Sequence, residues 1–101
     1  MINVADYINI ILKQKGWTRA KLCKEINKIE DDIGDRHTRV QNITNYLNGY
    51  HSMRPKWLVK VEKALDLEPD VLVSMVEMPK SKNGLKELEN VKRKVRNNDF
   101  N

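Results

Sequence analysis

Between Arg36 and Lys60 the chain carries Arg36, Arg39, Arg54, Lys56 and Lys60 and not one aspartate or glutamate. Inside that stretch Arg39, Gln41, Asn42, Thr44, Asn45 and Asn48 crowd together. Guanidinium and ammonium groups neutralise phosphates, and a surface cleared of carboxylates does not repel them. Arginine matches O6 and N7 of guanine, and asparagine or glutamine matches N6 and N7 of adenine, each good pair giving about 1–3 kcal/mol of discrimination. The chemistry on offer is recognition of base edges between phosphate contacts, with no bond making or breaking. A solvated basic face that merely lacks acids is the competing reading.

The remaining reactive residue types do not assemble into a site. Cys23 stands alone and reads as a small packed core residue. His37 and His51 are either ordinary polar residues or, when protonated, phosphate contacts. No nucleophile–base pair, carboxylate dyad, phosphate-binding glycine loop or set of ligands at metal spacing can be drawn from this chain. No catalytic residue, cofactor or structural metal is expected. Trp17 and Trp57 each adjoin a helix start and read as core or boundary anchors.

The elements that must position the basic stretch follow from hydrophobic period. Val4, Tyr7, Ile8, Ile11 and Leu12 form one face of a first helix that Gly16 ends. Thr18 caps a second helix bearing Leu22, Ile26, Ile29 and Ile33, which Gly34 ends. The acidic run Glu30-Asp31-Asp32 opposes the helix dipole near that end, so fraying or a break near Asn27 is weighed against a continuous helix. Thr38-Arg39-Val40-Gln41 has the form of a capping box, placing a third helix at Thr38 to Asn48 with Val40, Ile43 and Leu47 buried and Tyr46 alongside. Gln41 then serves either as cap or as base contact. Pro55 opens a fourth helix with Trp57 or Leu58, Val61, Ala64 and Leu65 inward, and Pro69 opens a fifth with Val71, Leu72, Met75 and Val76.

Pro79, Ser81, Asn83 and Gly84 then break the period, setting a domain at 1–78 and a linker with a basic tail at 79–101. Leu85, Leu88, Val91 and Val95 make a seam too thin to hold a helix alone, so the tail is expected to order only on a partner, including a protein partner. Lys92-Arg93-Lys94 reads equally as a solvated charge run or as an arm that contacts DNA. No strand-like alternation or repeat occurs.

At 101 residues and 40% hydrophobic, the chain suits one all-α domain with one core. Its net charge of +5 favours a polyanionic partner, nucleic acid or anionic membrane surface. No apolar stretch approaches the ~18 residues of a membrane span. The start, MINVADYINIILKQKG, lacks the features of a signal peptide, so a cytoplasmic location is expected and a membrane partner is not.

The segments ILKQKGWTRAKLCKEI, ITNYLNG and RPKWLVKVEKALDLEPDVL together resemble the Xre-type (Cro/C1-type) helix-turn-helix repressors over most of residues 4 to 76. Leu22-Cys23 stands where that family commonly has Leu-Ala. The resemblance implies a compact five-helix helix-turn-helix domain with helix 3 in the major groove of double-stranded DNA. It implies that Gln41, Asn42 and Asn45, joined by Arg39, face bases. Thr18, Arg19 and Lys21 at the start of helix 2 would meet phosphate, as would Asn48, Tyr50, His51 and Arg54 on the other flank, with Arg36, Thr44 and Lys56 beside them. The departure lies between Ile26 and Val40, where NKIEDDIGDRHTR adds roughly two helical turns to a connection of usually about four residues. Helix 2 and its turn are therefore extended.

The function so implied is sequence-specific DNA binding by a repressor-like transcriptional regulator of phage or plasmid type, paired as a homodimer through helix 5 or the tail. The alternatives are a protein-interaction module, antirepressor or adaptor, acting through Glu30 to Asp35 and the tail, and a DNA-binding accessory protein of a plasmid-type assembly whose winged-helix fold uses Tyr50 to Trp57 as wing.

Overall fold

In the computed structural model, which describes residues 2–97, the protein is all-helical: five α-helices and one short 3-10 turn, with no strand among the described residues. Met1 and residues 98–101, the end of the expected tail, lie outside the described residues. The helices are α1 (Val4–Lys15), α2 (Arg19–Ile33), α3 (Val40–Leu47), α4 (Pro55–Ala64) and α5 (Lys82–Asn97), with the 3-10 turn at Val73–Met75. The absence of strand at 50–57 removes the wing that a winged-helix fold would need there.

Local signals fix the first two helices. The Asn3 side chain accepts from the Asp6 N–H at 2.8 Å, and the Thr18 hydroxyl accepts from the Lys21 N–H at 3.0 Å. Gly16 and Gly34 close the helices at φ 68° and 77°, where a Cβ would be strained. Beyond them the Trp17 and Asp35 N–H groups reach back to the carbonyls of Leu12 and Glu30. α2 runs unbroken past Asn27, so the added residues are a real extension of this helix.

α4 is the axis of the core. Trp57, Leu58, Val59, Lys60, Val61 and Glu62 are all buried, because α2 covers one side of the helix and α5 the other. Ile8, Leu12, Leu22, Ile26, Ile43, Leu47, Leu58 and Val61 complete the interior that joins α1, α2 and α3 to it.

Two expectations fail after α4. The segment 69–76 is not an α-helix: Asp66 and Asp70 take φ of 57° and 71°, and the chain forms turns ending in the 3-10 turn. The buried Glu62 carboxylate organises it, accepting from the N–H groups of Asp70 (3.1 Å), Leu72 (2.7 Å) and Val73 (3.0 Å). Of the four residues expected inward only Leu72 is buried; Val71, Met75 and Val76 are half-buried, and Val73, which helical period does not select, is buried instead.

The second failure is the boundary near residue 78. α5 packs on α4 of its own chain, burying Leu88 and Val95, a contribution of about 1.5–3 kcal/mol for each side chain. Gly84 lets the chain close up against Pro79, where an added Cβ would lie 2.7 Å from the proline Cβ. Leu85, assigned to the seam by period, is instead exposed. Ion pairs supplement the thin seam: Arg96 and Lys92 reach Asp70 at 2.8 and 3.2 Å, and Lys56 reaches Glu87 at 3.0 Å. The partner that orders this helix is the domain itself. The Arg96 guanidinium, hydrogen-bonded to Asp70, holds that carboxyl below the usual range.

Candidate nucleic-acid interface

α3 turns Ile43 and Leu47 into the core, with Tyr46 half-buried against the ring of Trp57 at 4.7 Å between centroids. At about 100° per residue, that leaves Gln41, Asn45 and Asn48 on the opposite side, with Asn42 at one flank and Thr44 at the other. Gln41, Asn42 and Asn48 are exposed, and Thr44 and Asn45 half-buried. Gln41 does not cap the helix; its amide N–H donates to Asn45 Oδ1 at 3.2 Å, holding two amide side chains side by side.

The structure brings some of the expected flanking residues to this helix. Arg19, from the first turn of α2, donates through Nη2 to Asn48 Oδ1 at 3.0 Å, joining the starts of α2 and of the loop after α3. On the other side a cleft of about 340 Å3 is lined by Asn42, Asn45, Tyr46, His51, Ser52 and Arg54. His51 stands edge-on to Tyr46, and Tyr50 is 73% exposed. Thr18 is occupied as the cap of α2. Lys21 bonds Glu25 at 2.9 Å, and with Lys15 it also stands over the ring of Trp17. Lys21 and Lys28 together hold the Glu25 carboxyl below its ordinary range by hydrogen bonding.

Arg36, Arg39 and Arg54 are exposed and carry no ion pair among the described residues. Arg39 and Arg54 are moreover the N-cap residues of α3 and α4, and neither helix has a side-chain cap bond. A serine or aspartate at such a position would typically add about 1 kcal/mol of stability. Arginine instead adds full positive charge to helix ends that are already positive, an arrangement suited to an anion, although at α4 the first residue, Pro55, has no N–H to offer it.

Four residues depart from their expected places. Lys60, counted with the basic stretch, is withdrawn into the core, and Lys56 is engaged by Glu87. Val40, assigned to the buried stripe, is 43% exposed. The capping box does not form: α3 begins at Val40 with Arg39 as cap, and the Thr38 hydroxyl is committed elsewhere. It donates to Glu30 Oε2 at 2.6 Å and accepts from Trp57 Nε1 at 3.0 Å. Thr38 is buried, whereas Val40 is not.

That network was not foreseen. Glu30, 1% exposed, also accepts from the Thr38 N–H at 2.7 Å and from Lys60 Nζ at 2.8 Å, while Asp35 lies 3.4 Å from the same ammonium. The end of α2, the connection and α4 are tied at one buried carboxylate, immediately before α3. A signal was present in the sequence: Leu22, Ile26 and Glu30 are spaced i, i+4, i+8, which places the carboxylate on the apolar face of α2. Burial raises the Cys23 thiol above its ordinary range, and the thiol donates to the Thr38 carbonyl at 3.2 Å, so Cys23 also buttresses this joint.

Comparison with protein-family models, curated proteins and solved structures finds no match to this chain. The functional reading stands on the geometry and chemistry above.

Proposed function

We propose that this protein binds double-stranded DNA in a sequence-specific manner, with α3 in the major groove, as a repressor-like regulator of transcription. The observation that carries the reading is the outward face of α3: Gln41, Asn42, Asn45 and Asn48, side chains that pair with base edges, flanked in sequence by Arg36, Arg39 and Arg54, which are exposed and carry no ion pair among the described residues. Arg39, Gln41, Asn42 and Asn45 are assigned to bases. Arg19, Arg54 and the N-termini of α2 and α4 are assigned to phosphates. The resemblance of ITNYLNG and its flanks to Xre-type repressors points the same way.

The adaptor reading keeps most of its acidic surface, since Asp31, Asp32 and Asp35 are exposed and only Glu30 is buried; it is the second reading, and nothing in the fold favours it over DNA. Homodimerisation through an apolar face of the tail loses ground, because Leu88 and Val95 are spent within the chain.

Selection of bound duplexes from a randomised pool tests the proposal. Enrichment of one motif supports it. In binding assays on that motif, Asn42→Ala and Asn45→Ala should relax preference at particular positions, while Arg54→Ala should weaken all sequences alike. A pool with no enriched motif rejects it.

A further inference from the structure

We infer that Val40 reads the 5-methyl group of a thymine in the major groove, an assignment that rests on the DNA-binding reading above. Six large hydrophobic side chains are exposed among the described residues: Ile2, Ile10, Val40, Tyr50, Met78 and Leu85. Single exposed apolar residues are ordinary on protein surfaces, and position is what sets Val40 apart. It is the first residue of α3, between the cap Arg39 and the exposed Gln41 and Asn42.

Recognition helices approach base edges with their N-terminal residues, so the first turn of α3 is where a side chain lies nearest the bases. Every other exposed side chain of that turn is a hydrogen-bonding or charged group. The thymine methyl is the apolar feature of the major groove, and it is recognised by apolar contact. A valine side chain is short and fixed at χ1, so it presents its methyl groups at low entropic cost. Two residues before it, Thr38 is fixed by bonds to Glu30 and Trp57, which anchors the chain entering α3, and Val40 is 43% exposed. Val40 and Thr44 share one flank of α3, and Asn48, the cap at its end, is held by Arg19 from α2. The methyl contact would therefore fall on the α2 side of the helix, away from the cleft between Asn42 and Arg54.

The test uses duplexes carrying the selected motif, with each thymine replaced in turn by deoxyuridine, which removes only the 5-methyl group. For the unaltered protein, one replacement should lower affinity about fourfold, the effect of one buried methyl. Val40→Ser should bind the thymine and uracil duplexes equally at that position while keeping its sensitivity elsewhere. Because Val40 is exposed, the variant should melt with the unaltered protein, and Val40→Ala, which keeps one methyl, should be intermediate. Indifference of the unaltered protein to every replacement, or an unchanged uracil penalty in Val40→Ser, overturns the assignment and leaves the DNA reading standing. A pool without an enriched motif overturns both.

Discussion

Replacing Glu30 with leucine should be among the most damaging single changes in the protein. The carboxylate is 1% exposed and accepts three hydrogen bonds, two from Thr38 and one from Lys60. Leucine fills the space and leaves three buried donors without their acceptor: the Lys60 ammonium, whose side chain is 10% exposed, the Thr38 N–H and the Thr38 hydroxyl. Removing one partner of a buried pair costs about 3–5 kcal/mol. Asp35, still 3.4 Å from Lys60, keeps the loss near the lower end, about 3 kcal/mol. For a domain of this size, that corresponds to a melting temperature lower by about 12–24 °C. The double change Glu30→Leu/Lys60→Met removes the stranded charge as well, and Asp35, 44% exposed at its side chain, returns to water. It should recover about 2 kcal/mol, leaving mainly the unsatisfied Thr38 N–H and hydroxyl. Urea unfolding of the two single variants and the double variant measures both numbers. A Glu30→Leu protein within about 1 kcal/mol of the parent, or a double variant no more stable than the single, would refute the reasoning.

Other consequences concern the far end of α4. Asp70 has its pKa lowered chiefly by Arg96, so its contribution is present above the ordinary aspartate pKa of about 3.9 and is lost as pH falls through the lower folded value. Asp70→Asn should therefore flatten the acid limb of the stability curve below about pH 4, by under 1 kcal/mol because the side chain is 47% exposed; an unchanged limb in urea titrations contradicts this. Gly84→Ala, favourable for a helix by propensity, should destabilise by about 1–3 kcal/mol because its Cβ would meet Pro79 at 2.7 Å; a raised melting temperature would show that Pro79 yields freely. Leu88→Ala should cost about 2–5 kcal/mol in cooperative unfolding of the whole domain. Loss of α5 alone, with the rest melting as before, would instead mark it as an appendage.

The first four helices were legible because their signals are local. Thr18 and Pro55 start helices, Gly16 and Gly34 stop them, and apolar period marks their inner faces. What escaped depends on partners distant in sequence. Thr38 and Gln41 have the spacing of a capping box, yet Glu30 and Trp57 offer Thr38 a buried network, and the box is left unmade. Residues 69–76 have helical apolar spacing, but Glu62 collects their N–H groups and Asp70 adopts a left-handed backbone. α5 looked unsupported because its seam is thin, and neither Gly84 against Pro79 nor Asp70 beside Arg96 can be read from local pattern. Of the candidate site, the polar face of α3 was legible, whereas the exposure of Val40 and the withdrawal of Lys60 were not. The withdrawal of Lys60 follows from the Glu30 carboxylate, a partner thirty residues away.

Salt titration of binding to a selected duplex tests the central claim most directly. If α3 lies in the major groove with Arg19 and Arg54 on phosphates, the logarithm of affinity should fall with the logarithm of salt at a slope of roughly −2. Arg54→Ala should make that slope shallower by about one. An affinity indifferent to salt, or equal for the selected duplex and random sequence, would contradict the account.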